Sequence, residues 1–527
     1  MNLTVIRTIV AMFRRAAGGL RAGAWLFVAA AMVPLLPAGC SNNAEIVIYH
    51  TADVHGAYWP RTLPGGDRQG GGYAVLKSLL DAEKAPYLLL GGGDWFMGTP
   101  EGQFSHKTSA VWLMNDVGYT AACPGGMDFA EGWSDLAEML KQARFQALGA
   151  NVYSAKTGRR VEFLSPYMIR DYAGLKIGIF GLVGTDVYKT VPARSLGGLR
   201  ITDPIEEAAR VVPELRKKGC KLVIAVTHIG LNSYGQSENA DDAALAARVP
   251  GISVILGGNS HIETEHPVKI GETYIVHSGA MLAKVGRLSL GINSYTGRIT
   301  RFRYRLIPLE SDRYGEDEKI KARLAEIRAG VDKLLDRAIG RSREELTHSG
   351  GGETPLGDWM TDCFSRWLKT DAALLNYSAL RNAMPAGRVT ERVLYDIYPY
   401  NDQMMLIKLR GEDLRAVLEA GLSSPDGRLQ ISGITVYYNP AGLAGGKITR
   451  VLVGGKPLDD CKTYHLAATD NMMAGGSGYG GLGRAVEFSN TRELARERAA
   501  WCFYTRQLAT APEGGRWIEQ QPQTEPD

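Results

Sequence analysis

None of the six cysteines falls in a Cys-x-x-Cys pair, so zinc knuckles and dithiol redox motifs are excluded. There is no long basic run either: 60 lysines and arginines nearly balance 56 acids, for a formal net charge of +4. Without a concentrated positive stripe, nucleic acid and an electrostatically held membrane surface are both poorly supported as partners. Internal repeats are absent. The sustained apolar run near the start, Ala24 to Leu36, is too short for a comfortable transmembrane helix. What the sequence does have is length: 527 residues, enough for two or three domains with sizeable cores.

The apolar run follows Arg7, Arg14, Arg15 and Arg21 and ends in Leu36-Pro37-Ala38-Gly39-Cys40, the layout of a targeting segment. Small residues before a cysteine resemble a bacterial lipoprotein signal. That resemblance implies removal of residues 1–39, lipidation of Cys40 as the first mature residue, and a lipid-anchored protein on the periplasmic side of the cell envelope. Ser41, rather than aspartate, points to the outer membrane. An ordinary cleaved signal peptide is the other reading of the same residues. Past Cys40 remain Cys123, Cys220, Cys363, Cys461 and Cys502, an odd number. One disulfide in the C-terminal half suits an oxidising compartment, with its pairing unassigned.

From Glu45 to about Leu309 short β-rich runs alternate with amphipathic stretches. Tyr87-Leu90, Leu175-Phe180, Leu222-Val226, Val254-Leu256 and Tyr274-Val276 read as strands, and Asp135-Ala147 and Ile205-Lys218 as helices. This is the α/β class with layered sheets, whose ligands collect on loops after strand C-termini. Glu316 to Ile339 reads as one long charged helix ending at Gly340, either a connector over residues 316–340 or a surface helix of the first domain. A second unit over 341–508 has strands near Ala372-Leu375, Met404-Leu409, Ile434-Tyr438 and Thr463-Ala467. The Pro-, Gln- and Glu-rich stretch 509–527 reads as a disordered tail.

Chemistry concentrates where apolar runs stop. Ile46-Tyr49 leads into His50-Thr51-Ala52-Asp53-Val54-His55-Gly56, and the alternation of Asp53 and His55 about Val54 lets a carboxylate and an imidazole converge on a cation. Leu88-Leu90 leads to Gly91-Gly92-Gly93-Asp94, Ala121-Pro124 to Gly125-Gly126-Met127-Asp128, Ile224-Val226 to Thr227-His228, and Val254-Leu256 to Gly257-Gly258-Asn259-Ser260-His261. Carboxylate oxygens and imidazole nitrogens together suit zinc, manganese or iron.

Asp53-Val54-His55-Gly56, Gly93-Asp94 with Gly98-Thr99-Pro100, Thr227-His228-Ile229-Gly230 and Gly257-Gly258-Asn259-Ser260-His261 resemble the calcineurin-like metallophosphoesterase motifs of the 5′-nucleotidase family. Val276-Gly286, Glu353-Gly357, Arg381 and Gly475-Gly478 extend the resemblance into that family's C-terminal substrate domain. It implies a four-layer α/β/β/α sandwich over 40–315 followed by a second α/β domain. It also implies a hydrolase of nucleotide catabolism or related phosphate esters, with one or two divalent ions, zinc, manganese or similar. By the resemblance, Asp53, His55, Asp94 and His261 bind the first metal, with Asp94 bridging, while His228 and Asn259 stand at second-metal positions. Asn259 replaces a usual histidine and Gly126 a liganding asparagine. Met127 and Ala130 replace a histidine and an aspartate that assist the transferring phosphoryl group, and Asp128 or Glu131 would have to turn inward to substitute.

On the substrate side Asn376 and Arg381 remain from an Asn-x-Gly-Gly-x-Arg segment, Arg381 as phosphate clamp or surface ion pair. Arg428 and Asn471 stand where two phenylalanines sandwich a nucleobase, and Ser477 where an acid holds ribose. Tyr479 and Tyr400 are readable as replacement platforms or as core; His106, His266, His277 and His348 as rescue ligands or as structural residues. The expectation is an exported hydrolase of a small phosphorylated substrate. The alternatives are a non-hydrolytic metal- or oxyanion-binding relative and a sulfur-oxidation thiosulfonate hydrolase.

Overall fold

In the computed structural model, the described residues are 43–62, 69–104, 108–172, 174–231, 240–424, 427–443, 445–475 and 478–520. Cys40, His106, Ser477 and the targeting segment lie outside them.

Two six-stranded sheets carry the first domain. The first runs, edge to edge, Ile299–Pro308, Lys284–Asn293, Asn43–Thr51, Tyr87–Gly91, Ala121–Ala122, Gln146–Ala147. The second runs Val268–Ile270, Thr273–His277, Val254–Gly257, Leu222–His228, Leu175–Val183, Tyr167–Tyr172. The central strands are parallel in both, so their C-terminal ends open on a common edge. Strand periodicity explains the layering: Leu222, Ile224 and Val226 join a core with Ile48, Leu89 and Leu90, while Val223 and Ala225 between them join Ala208, Val211 and Leu215 of the Pro204–Lys217 helix. Helix Gly72–Asp81 contributes Val75, Leu76 and Leu79 to the first core, completing four α/β/β/α layers. Asp203 caps Pro204–Lys217 by accepting N–H bonds from Ile205 and Glu206, with Pro204 at the first turn.

Several boundaries differ from the sequence reading. The helix expected over Asp135–Ala147 spans Trp133–Leu140, because Gln146–Ala147 is an edge strand paired with Ala121–Ala122. The long charged helix spans Glu318–Leu335, and Ile339 and Gly340 instead lie in strand Ala338–Ser342. Its Ile320, Leu324 and Ile327 are built into the first domain's core. The tail read as disordered from Ala509 contributes strand Trp517–Glu519, paired with Ile434–Tyr438 and pinned by Arg516, whose guanidinium meets Asp362 Oδ2 at 2.9 Å.

The second domain is an α/β unit around the sheet Gln430–Ser432, Ala372–Leu375, Thr463–Thr469, Gln403–Arg410, Glu487–Leu494. A disulfide joins Cys363 to Cys502, whose Cα atoms are 6.1 Å apart; Cys123 and Cys220 are buried thiols and Cys461 an exposed one. Near the domain boundary Asp402 is buried and accepts the Tyr398 hydroxyl at 2.6 Å. Burial pushes its carboxyl up to about 6, with the Asp470 charge adding to the rise. The folded protein therefore holds a proton that the unfolded chain releases near pH 4. Stability falls as pH rises between about 4 and 6, and the penalty is complete above that window. Asp402→Asn removes at most about 3 kcal/mol of this penalty. Its denaturation midpoint is expected to exceed the parent's at pH 8 and to match it at pH 4; an equal gain at both pH values would refute the assignment.

Candidate metal centre

Three of the strand ends place their polar residues through left-handed turns, while His228 is carried on the last position of its strand Leu222–His228. Asp53, His55, Asp94, Asn259 and His261 have φ of 51°, 50°, 54°, 79° and 56°, half of the ten non-glycine residues with positive φ among the described residues. Such backbone costs on the order of 1 kcal/mol or more per residue and persists where surroundings impose it, commonly at functional sites. Here the surroundings are explicit. Asp53 N–H donates to Gly93 O (3.0 Å), His55 N–H to Asp94 O (2.8 Å), and Asn259 N–H to both Asp53 carboxylate oxygens (2.9 and 3.1 Å). Two glycines allow the approach: a Cβ on Gly93 would lie 2.4 Å from His228 Nδ1, and one on Gly125 2.1 Å from Asp94 Oδ1.

The side chains form two donor groups, Asp53 with His55 and His261, and Asp53 with Asp94 and His228, the ligand atoms of each lying within 4.8 Å of one another. Asp53 belongs to both. Asp94 Oδ2 lies 3.3 Å from His228 Nε2 and 3.7 Å from His55 Nε2, so a carboxylate from each of two strands reaches both halves. His55 Nδ1 bonds Met97 O (2.8 Å) and His228 Nδ1 bonds Gly92 O (2.6 Å). A carbonyl only accepts, so both Nδ1 atoms carry hydrogen and both Nε2 atoms face the centre, the arrangement that orients metal-ligating histidines. His55 Nε2 and His261 Nε2 approach to 2.9 Å. Oxygen and imidazole donors with these braces fit the zinc- and manganese-type ions that the sequence implies.

Electrostatics favours a charged Asp94–His228 pair, whereas burial opposes charge on Asp53 and His261. For Asp94, burial pushes the carboxyl up but is outweighed by His228 and His55, leaving it below the usual range. His228 is raised far above the ordinary imidazole value, burial being overcome by Asp94 and Asp53. Burial holds Asp53 up and His261 down.

The two candidate substitute ligands face elsewhere. Asp128 is buried and accepts three backbone N–H bonds, from Asp94 (2.9 Å), Trp95 (2.8 Å) and Gly125 (2.8 Å), so it braces the Asp94 turn. Glu131 accepts the amides of Gln103 and of Asn401 from the second domain, each at 2.6 Å. Met127 supplies only its backbone N–H, to Asp94 Oδ1 (2.8 Å). His277 is tied to Asp242 Oδ2 (2.8 Å) in a buried network with Thr227, and His266 is exposed. Asp186 is the residue that sequence reasoning missed: its Oδ2 accepts Asn259 Nδ2 at 2.8 Å. Its signal was available, since Leu175–Val183 also runs into a glycine and an acid, Gly184-Thr185-Asp186.

The second domain meets this edge. Arg194 Nη1 bonds Asp470 Oδ2 (2.6 Å) and its Nη2 bonds Asn401 O (3.0 Å); Arg392 meets Glu101 (2.6 Å) and Asp332. Burial raises the Tyr400 hydroxyl, opposed by the Arg381 charge and reinforced by Asp402 and Asp94, so Tyr400 stands within the electrostatic reach of both domains' candidate residues. Arg381 is exposed and has no acidic partner among the described residues. Asn376 Nδ2 bonds Ser378 Oγ (3.1 Å). Arg428 lies over the rings of Tyr438 (4.9 Å) and Trp517 (5.8 Å), and His348 packs on Tyr377 with centroids 4.0 Å apart. Asn471 sits on the short helix Asp470–Met473, and Tyr479 is core.

Paired carboxylate–imidazole groups at the C-terminal edge of facing sheets define a metallophosphoesterase, and residues 46–263 match the calcineurin-like phosphoesterase family. Residues 336–484 match the 5′-nucleotidase C-terminal domain, and the chain belongs to the 5′-nucleotidase family of hydrolases, which use divalent metal ions. A 5′-nucleotidase of Vibrio cholerae is 29% identical over 488 residues, 82% of this chain and 86% of that one. A 5′-nucleotidase precursor of Thermus thermophilus is 27% identical, with a TM-score of 0.76 over 92% of this chain and all of the other. Sulfate thiohydrolase SoxB of the same organism shares the fold at 19% identity, with a TM-score of 0.69 over 90% and 96%.

Proposed function

We propose that the chain is an exported, metal-dependent phosphatase of small phosphate esters, and that its substrate need not carry a nucleobase. The observation that carries this reading is the pair of donor groups sharing Asp53, with Arg381 of the second domain free of any acidic partner among the described residues. Asp53, His55, His228, His261 and the amide of Asn259 are the proposed ligands, with Asp94 bridging. Bound divalent ions supply charge neutralisation for a phosphoryl group and lower the pKa of a water. Arg381 clamps the phosphate as a bidentate donor, and Asn376 and Ser378 line its approach. Arg428, held over two aromatic faces of its own domain, presents a cation where relatives stack a base, which favours an anionic or hydroxylated leaving group.

Export rests on the N-terminal targeting pattern, with Cys40 as lipid anchor and the outer membrane as destination, and the Cys363–Cys502 bond suits an oxidising compartment. No helix among the described residues is long and apolar enough to cross a membrane. Gly126, Met127 and Ala130 favour non-hydrolytic binding, but retention of Asp53, His55, Asp94, His228 and His261 opposes it; thiosulfonate hydrolysis has no observation of its own in its favour, the likeness to SoxB being one of fold.

Elemental analysis of purified protein, followed by assays of nucleotides, sugar phosphates and aryl phosphates with added manganese, tests the reading. Bound metal with no turnover of any ester would overturn it. A gain-of-function variant sharpens the test. Met127 serves Asp94 through its backbone N–H, and Ala130 accepts the Ser195 hydroxyl through its carbonyl (2.6 Å), so both side chains can change while those bonds persist. Met127→His with Ala130→Asp is expected to raise turnover roughly 10²–10³-fold, the range associated with a preorganised donor, with metal content unchanged. No gain at full metal loading would show that these positions do not face the reacting group.

A further inference from the structure

Both positions at which second-metal ligands of the family are replaced border one short segment. A Cβ built on Gly126 would lie 3.4 Å from Thr190 Oγ1 and 3.8 Å from Val187 Cγ2. Asn259 Nδ2 donates to Asp186 Oδ2 at 2.8 Å, and Asp186 directly precedes helix Val187–Thr190. That segment is registered on the strand that delivers His228, because Gly184 N–H donates to His228 O at 2.9 Å. An ionised carboxylate can only accept, so Asp186 compels the Asn259 amide to turn its NH2 outward and its oxygen away from Asp186. The backbone of Asn259 is fixed as firmly, with φ of 79° and its N–H shared between the two oxygens of Asp53.

We propose that Asp186 is a positioning residue that turns the Asn259 amide oxygen toward the cation held by Asp53, Asp94 and His228, giving that position an oxygen ligand where relatives have an imidazole. The proposal rests on the metal-centre reading above. Its chemical consequence is an asymmetry. The Asp53, His55, His261 position keeps two imidazoles, whereas the Asp53, Asp94, His228 position is oxygen-rich and takes a harder ion, manganese or magnesium in preference to zinc.

The experiment uses the full mature chain, stripped with chelator and titrated with manganese or zinc alone, read by elemental analysis, calorimetry and low-temperature electron paramagnetic resonance of coupled manganese pairs. The parent is expected to bind two manganese ions with a coupled-pair signal. Asp186→Ala is expected to lose that signal and bind its second ion 10–100-fold more weakly, the range seen when a ligand's orienting partner is removed. Asp186→Asn keeps the side chain's shape without dictating the amide's orientation and weakens the second ion about 10-fold. Adding Asn259→His to Asp186→Ala restores the second ion, a rescue that a purely structural role of Asp186 would not produce. If Asp186→Ala fails to fold, as judged by the melting of the metal-free protein, Asp186→Asn decides. Unchanged affinity and signal in the folded Asp186 variants overturn the proposal, as does a parent that binds a single ion; a parent that binds no metal overturns the metal-centre reading itself.

Discussion

Asp53→Asn is expected to empty both metal positions and to lower kcat/KM by at least roughly 10³-fold, equivalent to about 4 kcal/mol of transition-state stabilisation. The reason is topological: Asp53 is the residue common to both donor groups, so neutralising it removes an anionic ligand from each. The substitution is nearly isosteric, and its remaining oxygen still accepts the Asn259 N–H. Because burial holds the Asp53 carboxyl above its ordinary value, the amide also relieves an unfavourable charge in the metal-free protein. Metal-free Asp53→Asn is therefore expected to melt at or above the parent's temperature while its metal content collapses. His261→Ala, whose exposed ring belongs to one donor group, is expected to lose one ion only. Two ions retained in Asp53→Asn would refute the shared-ligand geometry.

Asp128→Ala tests the brace behind the centre. The substitution deprives three backbone N–H groups, of Asp94, Trp95 and Gly125, of their buried acceptor. Each such loss costs on the order of 1–3 kcal/mol, so about 4 kcal/mol in total is a conservative figure. The first domain's melting midpoint is expected to fall by roughly 10 °C, and metal affinity to fall with it as the Asp94 turn loosens. Asp128→Asn, which keeps an acceptor oxygen, is expected to lose less than half as much. Equal losses for the two variants would mean that the charge of Asp128, and not its acceptor oxygens, holds the turn.

Asp128 also shows where sequence reading stops. Strand ends were legible because an apolar run that halts at Gly, Asp or His is a local pattern, and Asp53, His55, Asp94, His228 and His261 were found that way. The direction a side chain takes from such an end depends on which backbone groups approach it from other loops. Asp128 and Asp94 carry the same local signature, yet one accepts three amides and the other joins His228. Asp186 has a legible strand-end signature, but its link to Asn259, 73 residues away, is not local. Element ends failed for a related reason: Ile339 has helical spacing in sequence, but pairing with Gly387–Thr390 takes its neighbourhood into a strand. The Trp517–Glu519 strand was hidden by a polar, proline-rich context and is set by pairing with Tyr437 and by the Arg428 cation over Trp517.

The Cys363–Cys502 bond closes a loop across a sequence separation of 139 residues, and Asn376, Arg381 and Arg428 all fall inside it, whereas every proposed metal ligand falls outside. In the chain-entropy view a loop of this size withdraws about 4–5 kcal/mol of disorder from the unfolded second domain. The two halves of the proposed site therefore answer to different reagents. A chelator acts on the ligand-bearing half and leaves the anion-gripping half whole; a thiol reductant slackens the anion-gripping half while leaving the ligands in register. Under the proposed export, the chain would thus acquire its grip on substrate after oxidation and independently of metal loading.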